Sequence, residues 1–594
     1  MFRSILPYGR RSRTFQVLSS ILVFCILLST LRLYRRHAEP PRSIYEYTDG
    51  KTRGPRLNET GIQRPPSGET TYLRYLARQY ELSDEVQYFA RRIRPRANAR
   101  GRESITQIAT ARFEPRGGFR RIRVDDEGLD LHVAEEEEAI SIPVAKPAAS
   151  EHPDASPLLF GISTSYDRLT RARASLVGDW ARWLTDGKGG SNGASLVLTL
   201  RRASSAEIGH VSSMLRDAGI DAVVLAAEDG SRDPAARYLD LVRTLTGRRA
   251  ELLRAEGREK SFLALVDDDV FFPSVGRLMA RLRRYDAQST AYLGLPSERS
   301  DWVVERNTTL TYGGGAVLLT PPAAEVVSRL PCLNGTSRGP DSDPGSRTSQ
   351  WDEMLYNCVV EHTDEKLHVI PSLYTPRDGD VGDEATGTGY GDGARPLTLH
   401  HYGHRHRFEP GKAHLVTSLC GEACFLQRFL FRADSWVFVN GHSVAQYPDG
   451  VDVTQPAPSG RRDDEGNYRT DSGDGERRRN AGQGGGGGKE GRAKAPRRIR
   501  VGERLVVDSG GEGGEGPSVV SWAGTRRTWR LLDARAGPSS GGGGGGEVWQ
   551  AYVRRRGHHP LPADEDGTGH TQDGPTDADS VIVLIWEPPS PPLS

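Results

Sequence analysis

From Pro157 onward the chain alternates short apolar runs with amphipathic stretches. The runs are LLFGIS (158–163), ASLVLTL (194–200), DAVVLAA (221–227) and SFLALV (261–266). Between them, Leu169, Leu176, Trp180 and Trp183 recur at helical spacing, and further helical patterns lie around Ile208 to Ala218 and Ala235 to Ala255. Short apolar runs separated by amphipathic helices predict an α/β fold, a mostly parallel sheet with helices on both faces. Ligands of such sheets bind beyond the carboxyl ends of the strands. The residues that follow each run are therefore the first place to look for chemistry.

After residue 420 the pattern becomes β-like: SWVFVNGHSVAQYP, RTWRLLD, EVWQAYVRR and SVIVLIWEP are separated by Gly-, Asp- and Arg-rich stretches. This predicts a C-terminal β-rich region (420–594) carrying low-complexity inserts that need not fold, at about 459–497, 508–517 and 536–546. Residues 35–156 are rich in Arg, Glu and Pro and include the run Glu135 to Glu138, which predicts a stem ahead of a globular unit at 157–419. At the N-terminus, Arg3, Arg10, Arg11 and Arg13 precede Phe15 to Leu31, seventeen residues without a charge. As a helix this stretch spans about 26 Å, close to the ~27 Å core of early secretory membranes. A signal anchor at 15–34 behind a cytosolic tail at 1–14 is the expectation, because no small-residue cleavage site follows; a cleaved signal peptide is the rival.

Arginines on both sides nearly balance the positive-inside count, so orientation rests on other features. The sequons Asn58, Asn307 and Asn334 all follow the span and would be used only in a lumen. Cys332, Cys358, Cys420 and Cys424 form an even set beyond it, as an oxidising compartment allows. Four cysteines permit three pairings; proximity favours Cys332 with Cys358 and Cys420 with Cys424, and buried free thiols are the alternative. Composition narrows the partners: 79 Lys plus Arg against 78 Asp plus Glu leave no basic excess, so nucleic acid is not expected.

The most concentrated chemistry is LVDDDVFF, three adjacent carboxylates in an apolar setting at the end of the fourth run. Along an extended end alternate side chains share a face, so Asp267 and Asp269 point together and Asp268 away. Two carboxylates on one face suit a hard divalent cation that keeps positions open for substrate phosphates; a solvated acidic turn is the plainer alternative. YGGGAVLLT sets Gly313, Gly314 and Gly315 before an apolar strand, where backbone could approach a ligand or simply turn. WDEMLYNCVV places Asp352 and Glu353 at a helix start, where acids also serve the helix itself. LTLHHYGH offers His400 and His401 as late metal ligands or structural histidines.

Taken together, LVDDDVFF, TYGGGAVLLT, WDEMLYNCV and LHHYG, in this order and spacing, resemble the Fringe-like family of inverting glycosyltransferases, which includes β-1,3-galactosyltransferases. Its fungal and plant branches are the nearer match, through CFLQRFLFRADSWVFVNGHSVAQYPDG and SVIVLIWEP. The resemblance implies a GT-A (Rossmann-like) fold, a UDP-sugar donor, Mn2+ held through the aspartates, and a type II Golgi membrane enzyme with a lumenal catalytic region. It further implies a hexosyltransferase that forms a β-1,3 linkage on a glycan or glycoprotein acceptor. It puts Asp267, Asp269 and His400 or His401 at the metal. Asp267, Asp268, Thr164, Ser165, Arg168 and the three glycines fall near the donor, and Asp352 in the place of the base. Glu353 stands where animal relatives often have a second Asp, so it is the alternative base. A non-catalytic lectin-like or scaffold protein retaining the fold is the competing class. A metal-dependent lumenal hydrolase would need a water-activating constellation that the sequence does not show.

Overall fold

The four apolar runs form strands Leu158–Thr164, Ser195–Leu200, Ala222–Ala226 and Phe262–Leu265, all four mutually parallel. In the computed structural model the described residues are 66–99, 101–145, 153–170, 176–227, 234–295, 316–331, 351–373, 390, 393, 395–400, 409–454, 505–507, 519–522, 525–537, 546–556 and 578–589. They belong to a unit spanning Pro65–Ser594.

Helices Leu176–Leu184, Ser205–Asp217 and Pro234–Glu256 make the crossovers between these strands. The second begins with a reciprocal cap in which the Ser204 hydroxyl accepts from the Glu207 backbone N–H and the Glu207 carboxylate accepts from that of Ser204. Gly161 lets the third pack tightly on the sheet. A Cβ there would lie 2.8 Å from Leu245 Cδ1 and 3.0 Å from Leu241 Cγ.

Among the described residues this sheet has eight strands, in the order Leu505–Val507, Leu367–Val369, Tyr292–Gly294, Val317–Leu319, Phe262–Leu265, Leu158–Thr164, Ser195–Leu200, Ala222–Ala226. Only Val317–Leu319 runs antiparallel to its neighbours. The chain builds outward from Leu158–Thr164 on one side, then crosses back to lay Phe262–Leu265 on the other. The order therefore reverses between these two strands, and in open sheets of this kind the crevice beyond the carboxyl ends at such a reversal is where ligands bind.

The second sheet corrects the expected domain plan. Residues assigned to a stem fold: helix Gly68–Tyr80 covers one face, and strand Glu85–Ala99 pairs in parallel with the C-terminal strand Asp579–Trp586. It continues through antiparallel pairs of Asp579–Trp586, Val548–Arg554, Arg527–Ala536, Ser443–Gln446, Trp436–Val439 and Arg428–Phe431. The charges that suggested a solvated stem are paired instead: Arg91 with Glu137 at 2.7 Å, Arg92 with Glu547 at 2.6 Å and Arg94 with Glu587 at 2.8 Å. On the same strand Val86, Tyr88, Phe89, Ala90 and Ile93 are fully buried. The boundary at 419/420 is crossed as well, since Leu505–Val507 joins the first sheet beside Leu367–Val369.

Among the described residues no helix is long and apolar enough to cross a membrane. The expected tail and anchor (1–34), the sequons at Asn58, Asn307 and Asn334, and the insert at 459–497 lie outside the described residues. Cys420 and Cys424 form a disulfide, and Cys358 is disulfide-bonded; Cys332, its expected partner, is outside the described residues.

Candidate functional site

The crevice at the strand reversal is bordered by the residues after Leu158–Thr164 and after Phe262–Leu265, so Thr164, Ser165 and Arg168 come to face Asp267–Asp269. The triple aspartate divides as alternation requires. Asp268 turns to the first strand: Arg168 reaches it with Nε at 2.7 Å and Nη2 at 2.5 Å, and the Thr164 hydroxyl donates to the same carboxylate. Burial pushes the Asp268 carboxyl up, while the bonds and charge of Arg168 and the Thr164 hydroxyl pull it down. Its backbone carbonyl accepts from the Trp180 indole at 3.1 Å. Ser165 contributes its carbonyl, which accepts from the Arg168 N–H and starts the short helix Tyr166–Thr170.

Asp267 and Asp269 turn the other way, toward His400. Its Nε2 lies 3.4 Å from Asp267 Oδ2 and 3.2 Å from Asp269 Oδ1. Register explains the meeting: Leu399–His400 pairs antiparallel with Val270–Phe271, which sets His400 opposite Val270, one residue beyond Asp269. The imidazole is buried, whereas the two carboxylates keep some exposure. His401 lies outside the described residues.

One imidazole between two carboxylates leaves an excess of negative charge. Two carboxylate oxygens and an imidazole nitrogen are a donor set suited to a divalent cation of the Mn2+ type. Among the described residues no group of three or more His, Cys, Asp or Glu side chains is arranged to hold a metal ion as it stands. His400 contacts each carboxylate directly instead; the donor types suit such an ion, and a cation would have to part the imidazole from the carboxylates.

Helix Trp351–His362, which carries the expected base, reaches the aspartates through its first residue. The Trp351 indole donates to Asp267 Oδ1 at 2.9 Å, and its ring stacks on Tyr238, with centroids 4.2 Å apart and planes at 10°. Asp352, next in sequence and buried, lies at the near end of the helix. The Glu353 side chain is outside the described residues, as are Gly313, Gly314 and Gly315. Ala316, which follows the glycines, is fully buried and held at φ 73°, a region uncommon for residues with a Cβ. Val317 pairs with Leu265, so Ala316 enters the sheet at the end where the aspartates leave it.

No pattern in the sequence singles out Trp351, Tyr238 or Arg237. Tyr238 donates to the Val266 carbonyl at 2.9 Å, and Arg237 Nε donates to Ser163 Oγ at 3.2 Å. Both sit in the first turns of Pro234–Glu256, where helical periodicity marks them only as flank and core. The Tyr166 hydroxyl, on the short helix after the first strand, is 2.8 Å from His210 Nδ1.

No protein-family model and no curated protein matches the chain. Among solved structures it is similar to the glycosyltransferase GlyE of Streptococcus pneumoniae TIGR4, at 11% identity and TM-score 0.25 over 41% of this chain and 53% of that one. It is also similar to a glycosyltransferase involved in glycosylation of the PBCV-1 major capsid, at 10% identity and TM-score 0.23 over 41% of this chain and 93% of that one. A third is the mannosyltransferase PcManGT of Pyrobaculum calidifontis in complex with GDP-Man and Mn2+, at 11% identity and TM-score 0.20 over 30% of this chain and 47% of that one. The chain thus spans about half the length of the first and third. Likenesses at these TM-scores carry no argument, and the functional reading rests on the site itself.

Proposed function

We propose that the protein is a glycosyltransferase that moves a hexose from a UDP-sugar to a hydroxyl of a glycan or glycoprotein, with inversion at the anomeric carbon. The observation that carries this reading is the convergence of Asp267, Asp269 and His400 at the strand reversal, with Asp352 one residue from the indole that touches Asp267. Asp267, Asp269 and His400 would hold Mn2+, which when bound supplies positive charge against the departing diphosphate. Arg168 is kept beside the aspartates by its two bonds to Asp268, and its half-exposed guanidinium can face a phosphate oxygen.

Asp352 is then the base. Its carboxylate takes the proton of the acceptor hydroxyl as that oxygen attacks C1 from the face opposite the diphosphate. The C1–oxygen bond to phosphate breaks, its electron pair leaves with UDP, and an α-linked donor gives a β-linked product. Membrane attachment through 15–34, a lumenal Golgi location and a β-1,3 linkage belong to the same reading and are supported by the sequence motifs alone.

Turnover in Asp352→Asn tests the assignment. It is expected to fall by about 10²–10⁴, a common general-base contribution, with UDP affinity nearly unchanged. Glu353→Gln is expected to lose far less. A dead Glu353→Gln beside an active Asp352→Asn would move the base by one residue, and full activity in both would remove it from this helix.

A further inference from the structure

Asp267 uses its two oxygens differently. Oδ1 accepts the Trp351 indole N–H at 2.9 Å, while Oδ2 faces His400 at 3.4 Å. The indole is itself fixed, stacked on Tyr238 at 4.2 Å, and Tyr238 is tied by its hydroxyl to the Val266 carbonyl, one residue before Asp267. Trp351 and Tyr238 are nearly buried, so neither ring has room to turn away. Carboxylate, indole and phenol therefore close a loop that begins and ends on the backbone of 266–267.

From this we infer that Trp351 is a positioning residue for the metal site. Resting on the proposed reading of Asp267 as a metal ligand, it holds Oδ1 against the indole, beside the Tyr238 hydroxyl that also interacts with this carboxylate, and so orients the carboxylate with Oδ2 toward His400. Because Trp351 immediately precedes Asp352, the same contact ties the start of the helix carrying the base to the carboxylate that holds the metal. Outer partners of this kind set ligand orientation, and their loss typically costs about 10–100-fold in metal affinity.

The test is direct binding of Mn2+ alone to the full chain in detergent, followed by the decline of the free-ion electron paramagnetic resonance signal. Trp351→Phe keeps an aromatic ring on Tyr238 but removes the N–H, and is expected to weaken Mn2+ binding about 10–100-fold with little change in melting temperature. Tyr238→Leu, which keeps the indole but removes both its stacked partner and the hydroxyl beside Asp267, is expected to weaken it several-fold, more than Tyr238→Phe, which removes the hydroxyl alone, and the pair serves if Trp351→Phe does not fold. Asp267→Asn is the reference that should lose binding. Wild-type affinity in Trp351→Phe or, should that variant not fold, affinity in Tyr238→Leu no weaker than in Tyr238→Phe, with loss in Asp267→Asn, overturns the positioning role alone. Absence of Mn2+ binding by the unaltered chain overturns the metal reading and this inference with it.

Discussion

Asp267, Asp268 and Asp269 are chemically identical, yet backbone alternation gives them separate partners: an imidazole for the outer two and a guanidinium for the middle one. That division was legible in the sequence because it depends only on neighbouring residues. That His400 faces Asp267 and Asp269 was not, since it depends on pairing with Val270 across a gap of 130 positions that periodicity cannot register. The Trp351–Asp267 contact, 84 residues apart, was hidden for the same reason. A histidine that sequence reading did not mark gives a further expectation. His414 is buried between Phe271 and Phe425 with Nε2 3.0 Å from the Pro273 carbonyl. Burial, and after it the charge of Arg182, holds its imidazole down at about 3, against an ordinary 6.5. The unfolded chain takes up this proton near 6.5 and the folded protein only near 3. Stability from His414 is therefore present above 6.5 and is lost as pH falls across that window. Melting temperature should drop on acidification, and His414→Gln, which can still donate to Pro273, should flatten the drop. An unchanged pH slope in that variant would contradict the assignment.

Strands and helices of the first sheet were the most readable elements, because each apolar run is followed by a periodic helix long enough to cross back over it. Gly161, in mid-strand, is where helix Pro234–Glu256 lies close against the sheet. Gly161→Val should force Leu241 and Leu245 off their positions and cost about 1–3 kcal/mol, the usual range for overpacking. Equilibrium urea unfolding measures this, and a midpoint equal to the unaltered protein would show that the helix can retreat without cost. Short strands such as Val270–Phe271 and Leu399–His400 were not legible, for two residues carry no period; it is this two-residue pair that delivers His400.

Over the whole molecule, composition misled where charge is paired internally. Arg91, Arg92 and Arg94 read as a solvated stem, but their carboxylate partners lie 46, 455 and 493 residues away. The strand they occupy covers Asp579–Trp586, all eight residues of which are buried. A chain beginning at residue 157 should therefore expose that apolar strand edge and aggregate, whereas one beginning at residue 66 should stay soluble. Comparable soluble yield and melting temperature for the two would show that the first sheet does not depend on its N-terminal strand.

The central claim is that the crevice at the strand reversal transfers a sugar from a nucleotide donor with help from a cation held by Asp267, Asp269 and His400. Its most direct test is the rate of UDP release by the full chain, supplied with Mn2+, a panel of UDP-sugars and mixed glycan acceptors, in parallel with Asp269→Asn. The account expects release from at least one UDP-sugar that stops on chelation of Mn2+ and is lost in Asp269→Asn while that variant keeps its melting temperature. Release that persists unchanged in folded Asp269→Asn, or no release from any UDP-sugar by a chain that binds Mn2+, would contradict it.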